Sequence, residues 1–269
     1  MAEKEMGFLD HLEELRWRLV KSAAAIFIFA VLAFVYKDII FDGIILAPQH
    51  EDFITYRAFC KIGHLLGLED DLCFSDFNFT LQNLTMSGQL GTHMMVSAIA
   101  GIIVAFPYVF WQVWGFIRPG LKEKEQHMAR GIVFWATLLF MLGILFGYYV
   151  LAPLSIQFLG TYQVSESVGN QISLDSFIDT VSSLTLYTGA VFELPIVMYF
   201  LARLGIISSA FLKKYRKHAF VVVLIIAAII TPPDIISQCI VTVPLMLLYE
   251  ASIIVARRIE KNRKVEVEA

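Results

Sequence analysis

Long apolar runs separated by short polar stretches dominate the hydropathy pattern of this 269-residue chain. Six apolar segments can be marked, at residues 19–40, 90–117, 132–152, 176–201, 219–231 and 235–256, with a long loop at 41–89. A spanning helix needs about 20 residues to cross ~30 Å of hydrocarbon, and the fifth segment covers only about 20 Å at ~1.5 Å per residue. The pattern predicts an all-α membrane protein, a single polytopic domain over residues 1–269 with six transmembrane helices. Spans five and six are expected to be short or to cross a thinned bilayer.

Composition supports a membrane protein over a soluble one. The hydrophobic fraction of 58% and the mean hydropathy of +0.69 exceed the values of soluble chains, which are roughly 45–50% apolar. The first apolar run follows a segment charged with both signs and lacks a small-residue cleavage site. We therefore expect it to be a retained first span rather than a signal peptide.

Basic residues are distributed unevenly along the chain. Eighteen of the 21 Lys and Arg residues lie in the N-terminal segment, in the loops after spans two and four, and in the C-terminal tail. The opposite side holds only Lys37, Arg57 and Lys61. The positive-inside rule therefore predicts that both termini are cytoplasmic.

Motifs of catalysis and metal binding are missing from the sequence. It contains no HExxH, no GxSxG and no P-loop, and its six histidines are scattered without the spacing of metal ligands. We expect neither an enzyme nor a bound cofactor or metal, and nothing indicates a nucleic-acid partner. In the outer loop, Cys60 and Cys73 could pair in an oxidising compartment or stay as two free thiols.

Acidic residues at unusual positions are more informative. In YTGAVFELPIVMYF, Glu193 stands inside an apolar span with Pro195 two residues on. An intramembrane carboxylate should be neutral, paired or facing water, and a proline frees a backbone carbonyl and kinks the helix. Glu193 is thus either a neutral acid bonded to a neighbouring helix or part of a polar notch in the bilayer.

A second acidic group precedes the first span, in HLEELRWRLV. On a helix Glu14 and Arg18 are i,i+4 neighbours, and Glu13 lies one turn from Arg16. The segment is either an interfacial amphipathic helix whose charges pair internally or an acidic docking patch at the membrane surface.

Several ordered motifs, taken together, resemble the TatC family, the receptor subunit of the twin-arginine (Sec-independent) protein translocase. The motifs are HLEELR (11–16), LAPQ (46–49), FPYVFWQVWGFIRPGLKEKE (106–125), FELP (192–195) and TPPDIISQ (231–238). The resemblance covers nearly the whole chain and implies a receptor for folded proteins whose signal peptides carry paired arginines.

The resemblance also implies site residues. Glu14 and Glu125 would recognise the arginines, Arg16 would hold Glu14, and the extra acid Glu13 could share or compete in recognition. The residues completing the expected sites are Phe116 and Pro119 for signal-peptide binding, Glu193, Pro195, Gln238 and Glu250 for partner contact within the bilayer, and Pro48 and Asp234 for structure on the periplasmic side.

The family's biology further implies partners and location. We expect single-span TatA- and TatB-type partners, self-association, a lipid bilayer environment, and the proton-motive force rather than ATP, in the bacterial cytoplasmic (inner) membrane. Two alternatives stay open from the residues alone. One is a proton-coupled solute transporter with Glu193 as proton carrier, and the other is an intramembrane enzyme using Glu193 or Asp234. The outer loop looks longer than the family's, and its role is open.

Overall fold

The computed structural model describes residues 8–50, 52–66, 81–117, 129–165, 167, 169–232 and 235–268, almost all in helices. The α-helices are α1 Phe8–Val35, α2 Lys37–Ile40, α3 Ile54–Leu66, α4 Gly88–Ile117, α5 Ala129–Phe146, α6 Ala152–Thr161, α7 Leu174–Phe192, α8 Leu194–Arg203, α9 Ser209–Lys214, α10 Arg216–Ile230 and α11 Ile235–Glu268. Phe41–Ile45 and Gly147–Leu151 are π-helical, and Ala47–Gln49 is a 3₁₀ turn. Two short strands, β1 Leu81–Gln82 and β2 Ile172–Ser173, pair in parallel.

The helices confirm the predicted all-α membrane architecture but not the full count of six spans. Five stretches within the described residues are long and apolar enough to cross a bilayer, namely His11–Val35, Gly88–Ile117, Gly131–Thr161, Leu174–Arg203 and Ser237–Lys261. The fifth predicted segment forms α10, which at 15 residues is only about 22 Å long. The sixth is not short, because α11 extends through 34 residues.

These elements group into two compact units. The first contains residues 1–40 and 90–138, and the second contains residues 41–89 and 139–269. In the first unit, α1 and α4 run antiparallel. Two ring stacks show this, since each joins the start of one helix to the end of the other. His11 stacks on Phe116 with ring centroids 4.3 Å apart, and Phe34 stacks on His93 at 3.9 Å.

The second unit is built on close helix packing. A Cβ added at Gly143 of α5 would lie 2.8 Å from the Cα of Gly189 on α7, so the two backbones approach as only small residues allow. Two buried apolar clusters lie among the described residues of this unit. One comprises Leu151, Phe192, Val223, Ala227, Val241 and Leu245, and the other Ala202, Leu212, Tyr249, Ile253, Ala256 and Ile259.

The predicted loop at residues 41–89 contains a helix, α3, that the sequence analysis did not foresee. The N-terminal end of α3 is fixed by Tyr56, which is 2% exposed and donates its hydroxyl to the backbone oxygen of Pro48 at 2.9 Å. Burial raises the pKa of the Tyr56 phenol above its ordinary value, so this donor keeps its proton at neutral pH. Pro48 is itself buried in the 3₁₀ turn.

Candidate functional site

The N-terminal turns of α1 present an acidic and basic face toward α4 of the same unit. His11, Glu14, Leu15 and Arg18 are partly buried, while their neighbours Glu13 and Arg16 are exposed. This alternation follows from the helical period, which brings residues three and four apart onto one face. The partly buried residues of this segment therefore form a single stripe along α1 that contains Glu14.

Glu14 and Arg18 form the central pair of this stripe. The guanidinium of Arg18 donates to Glu14 Oε1 through Nε at 2.8 Å and through Nη2 at 2.5 Å. Both side chains are about one quarter exposed. Arg18 Nη1 also lies 3.5 Å from the backbone and side-chain oxygens of Gln112 on α4. The pair is thus held between two helices rather than left on an open surface.

The second carboxyl oxygen of Glu14 has a different environment. Glu14 Oε2 is buried and accepts no hydrogen bond from any residue that the structure describes. A carboxylate oxygen can accept two hydrogen bonds, and a buried acceptor without one is energetically costly. The two oxygens of Glu14 thus differ, since Arg18 holds Oε1 and Oε2 has no partner among the described residues.

An aromatic residue and a glycine of α4 pack against the stripe on α1. Phe116 lies almost parallel to the His11 ring, at an interplanar angle of 13°. A Cβ added at Gly115 would collide with the guanidinium of Arg18. Glycine at position 115 thus allows the arginine to lie flat against α4.

The structure corrects one predicted role at this site. Arg16 was expected to hold Glu14, but Arg18 does so, because Arg16 projects from a different side of α1 and is exposed. Glu13 is exposed beside the stripe rather than part of it. Pro119 and Glu125 lie outside the described residues, so their predicted contribution stays a prediction.

A second unusual site is the break between α7 and α8. Glu193 ends α7 and precedes Pro195, and the chain resumes as α8 at Leu194. Its side chain lies near the backbone of Phe140 on α5. Both carboxyl oxygens are buried, and no hydrogen bond to them is found within the described part of the chain. The helix break and a buried carboxyl group therefore coincide at Glu193.

The other predicted intramembrane residues already have partners. Gln238 donates its amide to the backbone oxygen of Leu224 at 3.4 Å. Glu250 accepts from Arg216 at 2.7 Å, and both side chains are substantially exposed. Arg216 is the first residue of α10, so this ion pair joins α10 to α11. The predicted partner contact at Glu250 stays a prediction.

The structure describes only some of the remaining predicted positions. Cys60 of α3 is disulfide-bonded, whereas Cys239 is a free thiol. Cys73 and Asp234 lie outside the described residues. Within the described ranges, no three or more metal-binding side chains come together.

Sequence reasoning missed Gln112 and Gly115 at the Glu14 site. Gln112 was detectable as an amide in the otherwise apolar run FPYVFWQVWGF, because a polar side chain inside a span usually faces protein. Gly115 gave no comparable signal, since glycine is frequent in membrane helices.

Known proteins match the chain along nearly its full length. The model of the family described as "TatC: Sec-independent protein translocase protein (TatC)" matches residues 10–244. The chain belongs to the TatC family. It is 40% identical over 262 residues to the TatC protein of Blattabacterium sp. subsp. Periplaneta americana (strain BPLAN), covering 97% of this chain and 98% of that one. It is 32% identical to the protein TatCy of Bacillus subtilis (strain 168), covering 96% and 91%.

A solved structure of the same family agrees with the fold. The structure described as "Crystal Structure of Twin Arginine Translocase Receptor- TatC" superposes with a TM-score of 0.70 at 31% identity, covering 93% of this chain and 99% of that one. As a TatC family member, the chain is a multi-pass membrane protein of the Sec-independent (Tat) translocase. It is a protein-transport component rather than an enzyme. The solute-transporter and intramembrane-enzyme alternatives are therefore set aside.

Proposed function

We propose that this chain is the receptor that binds twin-arginine signal peptides of folded proteins at the cytoplasmic face of the bacterial inner membrane. It then assembles with TatA- and TatB-type partners for export driven by the proton-motive force. The observation that carries the proposal is the state of Glu14, with one oxygen held by Arg18 and the other buried and unpaired among the described residues.

Arginine suits this site better than lysine for a geometric reason. A guanidinium presents a rigid fork of donors and forms short charge-assisted hydrogen bonds to a carboxylate. Glu14 cannot turn both oxygens toward the peptide, because Arg18 fixes Oε1 with two hydrogen bonds. An incoming arginine can bind Oε2 with one nitrogen while its other nitrogens reach a second acceptor, which a lysine ammonium does less well.

The second acceptor in this proposal is Glu125. Its assignment follows from the family's loop motif, in which Phe116 and Pro119 are the matching aromatic and proline. The stacking of Phe116 on His11 supports the proposal, since it brings the C-terminal end of α4 beside the Glu14 stripe. Glu13, exposed on α1, would add to the negative potential without binding an arginine directly.

Glu193 is the proposed contact for a partner's membrane helix. Gln238 and Glu250 have their polar groups engaged within the chain, whereas the Glu193 carboxyl does not within the described residues. A polar side chain on a partner helix, or an inserted signal sequence, would satisfy it. Because such hydrogen bonds in a bilayer contribute about 1 kcal/mol, Glu193 would orient the partner more than it would hold it.

Two experiments test assembly and peptide recognition, and a third tests the role of Glu193. The first is co-purification of the full chain with single-span partners, with and without a twin-arginine peptide, and the peptide is expected to change the yield of partner. The second compares binding of peptides carrying paired arginines or paired lysines, and equal affinity for the two would overturn the recognition role.

For Glu193, photocrosslinking to a partner helix should fall in Glu193→Ala and stay unchanged in Glu250→Ala. An unchanged yield in Glu193→Ala would leave the residue a structural acid only.

A further inference from the structure

Helix α3 lies at the level of a membrane surface. The third spanning stretch begins at Gly131, directly after a basic loop, and about 20 helical residues cover ~30 Å of hydrocarbon. That distance ends near Leu151, within the π-helical turn Gly147–Leu151. The same turn receives α3, because Thr55 donates its hydroxyl to the backbone oxygen of Tyr149 at 2.6 Å.

Tyrosines at this level agree with that placement. The ring of Phe53 stacks on Tyr149 with centroids 5.8 Å apart, and Tyr148 donates its hydroxyl to the backbone oxygen of Ile44 at 2.6 Å. Tyrosine is enriched where the hydrocarbon meets the headgroups, since its ring is apolar and its hydroxyl is polar. With the cytoplasmic termini predicted above, this surface belongs to the outer leaflet.

Around its axis α3 presents three different faces. One face is buried and includes Tyr56 and Gly63. A second is apolar yet exposed, with Ile54 64% and Leu65 85% accessible. The third is basic and exposed, with Arg57 and Lys61 one turn apart. A helix whose outward surface divides into adjacent apolar and basic stripes is suited to lie in the plane of a bilayer surface.

Arg57 and Lys61 are unusual by their location. They are two of the three Lys and Arg residues on the side of the membrane where this chain otherwise avoids positive charge. Neither forms a salt bridge with another residue in the described ranges. Asp52, two residues before α3, is the exposed described acid nearest along the chain. The basic stripe therefore has its charge available for an anionic ligand.

An apolar groove runs beside the same stripe. It has a volume of about 360 Å³ and is lined by Ile54, Thr55, Ala58, Phe59, Tyr149 and Val150. Its lining offers almost no polar surface, so a hydrocarbon chain fits it better than a headgroup. The groove lies on the α3 side that bears Ile54, next to the positive charges.

We propose that α3 is an interfacial helix that binds an anionic phospholipid of the outer leaflet. Arg57 and Lys61 contact the phosphate headgroup, and the groove beside Ile54 takes part of an acyl chain. The occupant is a lipid rather than a protein because two cations without an ion pair among the described residues and an apolar groove meet at the hydrocarbon boundary. This binding is separate from signal-peptide recognition at Glu14.

The test uses the full chain in proteoliposomes that contain a phospholipid with a photoreactive acyl chain. Phosphatidylglycerol and phosphatidylcholine versions are compared, and adducts on the Ile54–Leu66 peptide are counted by mass spectrometry. Since each basic residue near an anionic surface strengthens attraction about fivefold, we expect at least a fivefold preference for phosphatidylglycerol. The preference should fall close to one in the double variant Arg57→Gln/Lys61→Gln.

Two controls keep the result specific. The matched variant Lys213→Gln/Lys214→Gln removes two exposed charges from α9 and should leave the preference at α3 unchanged. On the unmodified protein, the preference should decrease as salt is raised from 0.05 to 0.5 M, so the test does not depend on the variants folding. Equal adducts from the two lipids on the unmodified protein would overturn the proposal. The proposal would also be overturned if α3 formed no lipid adducts and crosslinked instead to a partner chain or to a second copy of this chain.

Discussion

Glu14→Gln is the substitution that probes the recognition site most sharply, because it removes a negative charge and keeps the shape. In the structure Glu14 Oε1 accepts two hydrogen bonds from Arg18, and Oε2 is left for the peptide. A hydrogen bond to a charged group contributes about 1.5–3 kcal/mol and a neutral one about 0.5–1.5. The difference of about 1–2 kcal/mol corresponds to a roughly 5- to 30-fold weaker affinity for a twin-arginine peptide.

The cost to folding should be much smaller. The Glu14–Arg18 pair is about one quarter exposed, and ion pairs that solvent reaches contribute about 0.2–1 kcal/mol. We therefore expect the affinity to fall while the thermal midpoint of the purified protein moves by only a few degrees. Peptide affinity is measured by fluorescence anisotropy on the full chain, and the midpoint by circular dichroism.

Glu13→Gln is the matched control for this prediction. It removes the same charge one residue away, from a side chain that is exposed beside the stripe. Its effect on affinity should be less than about twofold at physiological salt, where exposed charges are screened over ~8 Å. If Glu13→Gln weakens binding as much as Glu14→Gln, the buried oxygen of Glu14 is not the acceptor and the reasoning from geometry is refuted.

Three further predictions concern the surroundings of the site and the outer segment. Gly115→Val should weaken twin-arginine peptide binding, because the new side chain displaces the Arg18 guanidinium from α4; an unchanged affinity would show that Arg18 has room elsewhere. Tyr56→Phe should lower the free energy of unfolding by about 1–3 kcal/mol, since it leaves a buried backbone acceptor without its donor. Chemical denaturation of the purified protein measures that change, and no change would contradict the anchoring role. Cys60, which is disulfide-bonded, should pair with Cys73, so that non-reducing peptide mapping recovers the two in one linked fragment; a linkage of Cys60 to any other thiol would contradict this.

Hydropathy alone predicted the long spans well, because twenty apolar residues have few alternatives to a membrane helix. The segment 90–117 corresponds to α4, Gly88–Ile117. The ends were less predictable. α1 begins at Phe8 and carries HLEELR into the same helix, since its i,i+4 charge pair stabilises helix without needing apolar residues.

The outer segment shows what apolar length cannot reveal. ITYRAFCKIGHLL forms α3, a helix too polar on one side to look like a span. The alternation of apolar and basic positions that makes α3 amphipathic can be seen in the sequence. It was overlooked because the whole segment 41–89 was assigned to a long loop. The paired strands β1 and β2 are two residues each, which is too short for any alternation of polar and apolar positions to appear.

The Glu14 site was half predictable. Helical spacing identified Glu14 and Arg18 as neighbours, whereas the motif resemblance favoured Arg16 as the partner, and the spacing was right. The buried state of Glu14 Oε2 was not predictable, because it depends on how α4 packs against α1 around Gln112 and Gly115. Contacts between distant segments of a chain leave little trace in a single sequence.

The central claim is that Glu14 binds the paired arginines of a signal peptide. Site-specific photocrosslinking tests this claim most directly. A photoreactive residue in place of Leu12, which is 46% exposed and lies two residues before Glu14 on α1, is combined with labelled signal peptides in membranes. The account predicts strong crosslinking to the twin-arginine peptide, several-fold less to the twin-lysine peptide, and loss of the difference in Glu14→Gln. Equal crosslinking of the two peptides to the unmodified site would contradict it.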